Sequence, residues 1–549
     1  MVHTTSSTQT TKECFQLDPD FIAEELAAIN TKKGAGPDNI HPLILKNCSA
    51  SLLNPLTTIF NESLALGIFP NEWKRSAVTP IFKKGARSNI ENYRCIAKLQ
   101  TIAKFFEHLV NIKLLQLVKD KIIMCQHGFM KGRSTTSNLL EFIHFVQSGL
   151  NKGHQIDVLY TDFSKAFDRV DHQILINKLS KFDLPANLLN WIGSYLVNRT
   201  QFVNYGCSKS PDFDVTSGLP QGSHLGPSLF VLFINDLPVN LREIFIALYA
   251  DDIKIAKIIE TPSDTVILQE AIDELKQWCD DNSLHLNLNK CVILTISRSR
   301  NQLSHKYTFG SHVFGRVSEH KDLGVIIDSK LAFTKHIEAI TAKANAALGF
   351  VKRFCSDITD TTTLKALYFA LVQSHLEYCN IVWQPFYSTY SNKIESVLKQ
   401  FTMFACKEYP SHANNFRISS YKDRLTALNM NSLERRRVNT SITCLYDILH
   451  GHANCPSMEK TITLSENTHA LRRYEMIKIK DKDMKLAHTT PLNQMVKLAN
   501  LVPDVFSSAT SRPNFISLLR ATDDSAFGHS LHINRVKTWP THSISRPGN

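Results

Sequence analysis

The chain has 549 residues, 43% of them hydrophobic and 20% charged; this is too long for a single hydrophobic core and excludes a disordered, collagen-like or coiled-coil molecule. Its 62 lysines and arginines against 50 acidic residues leave a formal charge of +12, a balance that favours encounter with polyanions such as nucleic acid or anionic membrane. The N-terminus lacks the apolar core of a secretory signal, no uncharged apolar run nears the ~20 residues of a bilayer span, and the twelve cysteines include no C-x-x-C pair. An intracellular chain with reduced thiols and no membrane attachment is therefore expected. The nearest approach to a metal cluster, His450, His452 and Cys455, is disfavoured.

In chain order, the loop TKKGAGPDNIHP leads into an apolar stretch, and a first division is drawn near residue 60. The next helix is expected to stop at Gly67 and Pro70. From 154 to 258 strand and helix signals alternate: QIDVLYTD reads as a short buried strand, and Leu188, Ile192 and Tyr195 recur at helical spacing. Pro227 suits the first turn of a helix carrying LFVLFIN, and EIFIALYADDIKIA reads as two strands around a tight turn. Thr261-Pro262 marks the start of an amphipathic helix with Leu268, Ile272, Leu275 and Cys279 on one face. From residue 329 the pattern is helical. Ile337, Ile340, Ala344, Ala347, Val351 and Phe354 form one face, Leu364, Leu367 and Leu371 a second, and Ile394, Val397, Leu398 and Phe401 a third. Beyond 410 one more helix, SLERRRVNTSITCLYDILH, precedes a more polar tail. The expected layout is an N-terminal extension (1–60), an α+β body (61–328), a helical unit (329–410) and a C-terminal helical extension and tail (411–549).

Two acidic sites stand out, the strand end containing Asp162 and the hairpin containing Asp251 and Asp252. Adjacent carboxylates between apolar strands repel one another unless a cation compensates them, and a divalent metal is the economical partner. Alone, an Asp pair reads as a solvated turn. Between the acidic sites lies SGLPQGSHLGPSLFVLFINDLP, whose glycines suit close approach to a ligand. Upstream, Lys83, Lys84, Arg87 and Arg94 surround a basic hairpin suited to phosphate contact or, read plainly, a solvated charged loop.

The ordered blocks WKRSAVTPIFKKG, ENYRCIAKL, QHGFMKGRST, YTDFSKAFDRVDH, SGLPQGSHLGPSLFVLFINDLP, YADD, LNLNKC and HKDLGVIID carry a resemblance. Together they resemble the reverse transcriptase domain of non-LTR (LINE-like) retrotransposons of the jockey type, over about residues 34 to 330 and more weakly to about 450. The resemblance implies a right-hand polymerase fold: fingers and a palm with an antiparallel sheet in 61–328, a helical thumb in 329–410 and a helical C-terminal extension. It implies an RNA-directed DNA polymerase using two Mg²⁺ ions, with Mn²⁺ as the alternative, on an RNA template, a DNA primer or target, and dNTPs. It places Asp162 as the aspartate binding both metals, with the Phe163 carbonyl assisting, Asp251 as the second metal ligand and Asp252 as its less directly coordinated neighbour. Lys290 falls at the position of a lysine proposed to protonate pyrophosphate. Lys84 and Arg94 fall on triphosphate-gripping residues, Phe167 on an aromatic gate beneath the incoming sugar, Gln221 and Gly222 on the loop touching nucleotide and template, and Leu323 and Gly324 on the primer-grip turn. A ribonucleoprotein in nucleus or cytoplasm is implied as well.

Departures from the family pattern are Cys95 and Ala97, where N-Y-R-P-I-S is usual. The 33 residues before Gly34 are also too few for the apurinic-type endonuclease such elements normally encode. No RNase H pattern or zinc knuckle is seen, so a chain covering only the polymerase is expected. The competing expectation is a decayed or domesticated copy that binds RNA without catalysis, against which the three retained aspartates argue. A group II intron maturase is disfavoured by the lack of clustered His and Cys at the C-terminus, and an RNA-dependent RNA polymerase by the absence of Gly-Asp-Asp. Template identity and oligomeric state are left open.

Overall fold

The computed structural model describes residues 14–237, 244–385, 387–407, 420–464, 476–480 and 490–527. The helix Ser49–Leu66 stops at Gly67, whose φ of +66° lets its N–H turn back onto Leu64, as the Gly67 and Pro70 signals imply. The division drawn at residue 60 falls inside this helix. Phe60 is fully buried and stacks on Phe106 at 4.2 Å, and Phe15, Leu17, Ile22 and Leu26 join the same cluster, so residues 14–60 share the body's core instead of preceding it.

The first sheet begins with the antiparallel hairpin of β1 (Arg75–Phe82) and β2 (Tyr93–Lys98), in which Ile81 lies opposite Arg94. After the strand β3 (Gln155–Thr161) of the second sheet, β4 (Arg199–Tyr205) returns to pair in parallel with β1, Ala77 opposite Phe202. The short β5 (Ser208–Lys209) and β6 (Phe213–Val215) fold back on β4.

The second sheet continues with β7 (Phe245–Tyr249), β8 (Asp252–Ile259) and β9 (Val292–Ile296); a small hairpin of β10 (Thr308–Phe309) and β11 (His312–Val313) precedes its last strand, β12 (Gly315–Val317). Its order is β12-β9-β3-β8-β7, antiparallel except for β12 against β9. Every residue of β3 is buried, because helices cover both faces of the sheet. Alternate residues serve two cores. Leu159, Ile253, Ile255 and Ile293 pack with the helices Leu225–Phe233 and Pro262–Asp281, whereas Val158, Tyr160, Ala256 and Leu294 pack with the helix Thr135–Lys152 and the helical unit that follows. Pro227 sits in the first turn of its helix, and Thr261 caps the helix begun by Pro262, as expected.

A hairpin of β13 (Glu319–Asp322) and β14 (Val325–Asp328) leads into the helices Thr334–Phe354, Thr361–Leu367 and Ser388–Ala405. Ile337, Ala344 and Val351 are buried, but Phe354 is 71% exposed, because the 3.6-residue stripe passes from Val351 to Cys355. Leu371 is also exposed, since Tyr368–Gln373 is π-helical and the wider turn rotates Tyr368 and Val372 inward in its place. Ile394, Val397, Leu398 and Phe401 are all fully buried. The region read as a polar tail contains the helices Pro491–Ala499 and Arg512–Ala521. Their Leu492, Met495, Phe515 and Leu519 are buried against the helix Leu433–Leu449 and its surroundings. Among the described residues no helix is long and apolar enough to cross a membrane.

Candidate active site

The acidic end of the second sheet is built by register. Thr161 of β3 pairs with Ile253 of β8, so the next residues outward, Asp162 just past β3 and Asp252 at the start of β8, come side by side. On the other side of β8, Tyr249 pairs with Asp252, and Ala250 and Asp251 form the turn. Burial raises the Asp251 carboxyl above the ordinary range and the charge of Asp162 raises it further, while Arg94 and Lys83 draw it down. The Asp252 carboxyl is pushed up to about 6, first by desolvation among its neighbours, then by the charges of Asp251, Asp322 and Asp162. Asp162 and the two carboxyls whose pKa its charge raises supply only oxygen donors, the kind a hard divalent cation prefers.

Lys290 stands against this set. Its Nζ donates to Asp162 Oδ2 at 2.6 Å, and its backbone N–H is held by the Asn287 carbonyl. The Asn287 N–H in turn donates to the Asp162 carbonyl and the Ser164 N–H to the His285 carbonyl, which brackets Phe163 opposite Leu286. In such a bracketed pair the Phe163 carbonyl points away from the facing strand, free of that ladder. Among the described residues no three carboxylate, imidazole or thiol groups are drawn together tightly enough to define an ion site by themselves. His450 stacks on Tyr446 at 3.8 Å, and its Nδ1 lies 2.9 Å from the Tyr446 carbonyl.

The hairpin turn is held from behind by a residue the sequence reading passed over. Gln126 is fully buried, and its Oε1 accepts the N–H of Gly128 (2.7 Å) and of Ala250 (3.1 Å). The Leu248 carbonyl accepts the His127 N–H at 2.8 Å and Asn138 Nδ2 at 3.0 Å. Ala250 has a φ of +58°, and a Cβ on Gly128 would lie 2.3 Å from its nitrogen, so backbone meets backbone here. The block QHGFMKGRST is thus the back wall of the aspartate turn. A second unanticipated support is the buried ion pair of Lys254 and Asp322, which ties β8 to the β13–β14 hairpin.

Phe167 lies flat on Phe230, ring centres 4.4 Å apart, and meets Phe129 edge-on at 6.3 Å. It is half-buried, so one part packs in the core and the rest is open. Gln221 bonds through Nε2 to Asp168 Oδ1 at 2.7 Å, and its carbonyl accepts the Ala97 N–H at 2.7 Å, which fixes the loop across β2. Gly222 has a φ of +130°, and a Cβ there would lie 2.4 Å from the Ala97 carbonyl oxygen. Lys83 and Lys84 both lie exposed on the loop that connects β1 and β2, and the charges of Arg94 and Lys83 draw the Asp251 carboxyl down. Leu323 and Gly324, with φ of +42° and +91°, form the two-residue turn between β13 and β14; Tyr378 donates to the Leu323 carbonyl at 2.8 Å and packs on Gly324.

With this geometry in view, residues 81–327 match the family model described as reverse transcriptase (RNA-dependent DNA polymerase), and the chain carries a reverse transcriptase domain. It is 29% identical over 360 residues to the probable RNA-directed DNA polymerase from transposon BS of Drosophila melanogaster, which covers 63% of this chain and 39% of that protein. It is 30% identical over 334 residues to the RNA-directed DNA polymerase from mobile element jockey of the same species, with 57% and 35% covered. The chain thus spans little more than a third of the curated relatives it matches. Among solved structures, telomerase from Candida albicans aligns over 87% of this chain and 69% of that one, with 10% identity and a TM-score of 0.36.

Proposed function

We propose that the chain is an RNA-directed DNA polymerase that adds dNTPs to a primer 3′ hydroxyl on an RNA template. The observation that carries this reading is the meeting of Asp162 with Asp251 and Asp252 at one end of one sheet, facing the basic strand that bears Arg94. Asp162, the Phe163 carbonyl and Asp251, with Asp252 beside them, would hold two Mg²⁺ or Mn²⁺ ions, which activate the attacking hydroxyl and stabilise the leaving oxygen. Lys290, whose ammonium donates to Asp162, would be the acid that gives a proton to the departing pyrophosphate. Arg94, with Lys84 and its neighbour Lys83, grips the triphosphate. Gln221 and Gly222 form the loop surface against which nucleotide and template lie, and the Leu323–Gly324 turn supports the primer end. The open part of the Phe167 ring closes the space where a 2′ hydroxyl would sit.

The test is primer extension by purified protein on poly(rA) with oligo(dT), Mg²⁺ and dTTP. Extension is expected, and Asp162→Ala and Asp251→Ala should each abolish it while RNA binding persists. A folded wild-type chain that fails to extend, or either variant extending at full rate, overturns the assignment. In cells, the reading places the chain in a ribonucleoprotein of nucleus or cytoplasm, checked by co-sedimentation with RNA that ribonuclease disperses.

A further inference from the structure

Among the described residues the strands of the β13–β14 hairpin pair only with each other and join neither of the larger sheets. The open end of the hairpin is anchored by backbone, the Ser329 N–H donating to the Ser318 carbonyl and the Ser297 N–H to the Ser329 carbonyl, both at 2.9 Å. Its turn begins after Asp322, roughly 13 Å along β13 from Ser318 at 3.3 Å per residue. Val325 and Ile327 lie in the apolar core there, but apolar packing is non-directional and tolerates sliding. The directed contacts near the turn come from side chains: Asp322 is ion-paired to Lys254, and the Tyr378 hydroxyl donates to the Leu323 carbonyl at 2.8 Å.

Lys254 is an unfavourable residue to place where it is. It is only 3% exposed, lies opposite Tyr160 of β3, and has its Nζ 4.9 Å from the centre of the Phe142 ring. Burial pulls its pKa down and Asp322 draws it back up. A buried ion pair is often no more stable than an apolar pair of similar volume, so stability alone does not account for this one. What it supplies, and an apolar contact does not, is a directed bond of fixed length. Lys254 shares a face of β8 with Asp252, two residues before it, and Asp322 immediately precedes Leu323. The charges of both reach Asp252. Extending the polymerase reading above, on which it rests, we infer that Lys254 and Asp322 are positioning residues: their bond fixes the distance between the turn that supports the primer end and the carboxylates that hold the metals. A displacement of about 1 Å at a reacting atom can slow transfer on the order of a hundredfold.

Two variants of the full chain separate the length of the bond from its contribution to stability. Lys254→Met/Asp322→Leu removes the bond and leaves apolar bulk. Asp322→Asn keeps an oxygen within reach of Lys254 but leaves a buried ammonium without its counter-charge. Each is measured by thermal unfolding, by fluorescence anisotropy with a labelled primer–template duplex, and by single-turnover extension at saturating Mg²⁺ and dTTP. A crossing is expected. The Met/Leu variant should keep its Tm and duplex affinity yet extend about tenfold more slowly, with the KM for dTTP within about twofold of wild type. Asp322→Asn should lose Tm and still extend within about threefold of wild type. Equal rates in the two variants, or rates that rank with Tm, overturn the proposal and leave the pair a structural one. If the Met/Leu variant does not fold, Asp322→Glu takes its place, keeping both charges and lengthening the link by a methylene; extension no slower than in Asp322→Asn then overturns the proposal. Loss of the polymerase reading would appear separately, as a folded wild-type chain that does not extend at all.

Discussion

At Asp252 the crowding of Asp251, Asp322 and Asp162 has a measurable sign. A carboxyl whose folded pKa is about 6, against about 4 when unfolded, keeps its proton in the folded state after the unfolded chain has lost it. Its contribution to stability therefore falls as pH rises from about 4 to about 6 and stays low above. In chelator, Asp252→Asn should raise Tm at pH 7 and flatten the pH dependence across that window; a Tm at pH 7 equal to or below wild type would refute the electrostatic account. Added Mg²⁺ should raise the wild-type Tm at pH 7 more than at pH 5, an increment absent from Asp162→Ala. At Phe167, Val should weaken discrimination against ribonucleotides by on the order of 1 to 3 kcal/mol, read as the rNTP to dNTP ratio of kcat/KM. An unchanged ratio in a folded, active variant would leave the ring as packing on Phe230 only. The aspartates were legible because a buried strand ending in Asp and a two-strand pattern broken by Ala-Asp each fix a position. The influence of Lys83 on Asp251 was not, since Lys83 sits where the strand gives way to a loop and alternation no longer fixes the direction of a side chain.

Among the elements, the β7–β8 hairpin depends on a side chain more than a hundred residues upstream. Replacing Gln126 with Leu leaves the N–H groups of Gly128 and Ala250 without their acceptor, at about 1 to 3 kcal/mol for each buried donor. Gln126→Leu should therefore lower stability in urea unfolding and reduce kcat more than it raises the KM for dTTP, because the turn carrying Asp251 is what loosens. Wild-type stability in that variant would show that the two bonds contribute nothing. Gly222→Ala should impair extension through the loop, its Cβ being directed at the Ala97 carbonyl. Helix faces with unbroken 3.6-residue spacing, such as Ile394 to Phe401, were readable directly. The face through Leu371 was not, because one π turn at Tyr368–Gln373 changes the phase and nothing local in YFALVQ announces it.

Over the whole molecule, the C-terminal helices are structural partners of the body. The Ser457 N–H donates to Glu141 in the helix Thr135–Lys152, the Asn454 N–H donates to the Gly132 carbonyl, and Met458, Leu492 and Met495 join the same core as Val158 and Leu294. A chain ended at residue 410 should therefore lose Tm and extension together, and full retention of both would mark residues 420–527 as a separate unit. The helices Pro491–Ala499 and Arg512–Ala521 are only 9 and 10 residues long, so their apolar faces were lost in a reading based on the polarity of the whole segment. The placing of β3 at the centre of its sheet also sets an order of events during synthesis. Its neighbours β8 and β9 end at Ile259 and Ile296, and β1 waits for β4 until Tyr205, so the strand carrying Asp162 emerges from the ribosome long before either flank. At about 5 to 20 residues per second the delay is on the order of ten seconds. During it, a strand that the fold buries along its whole length has no sheet to join, and the nascent chain is exposed to aggregation and to chaperones before the three aspartates meet.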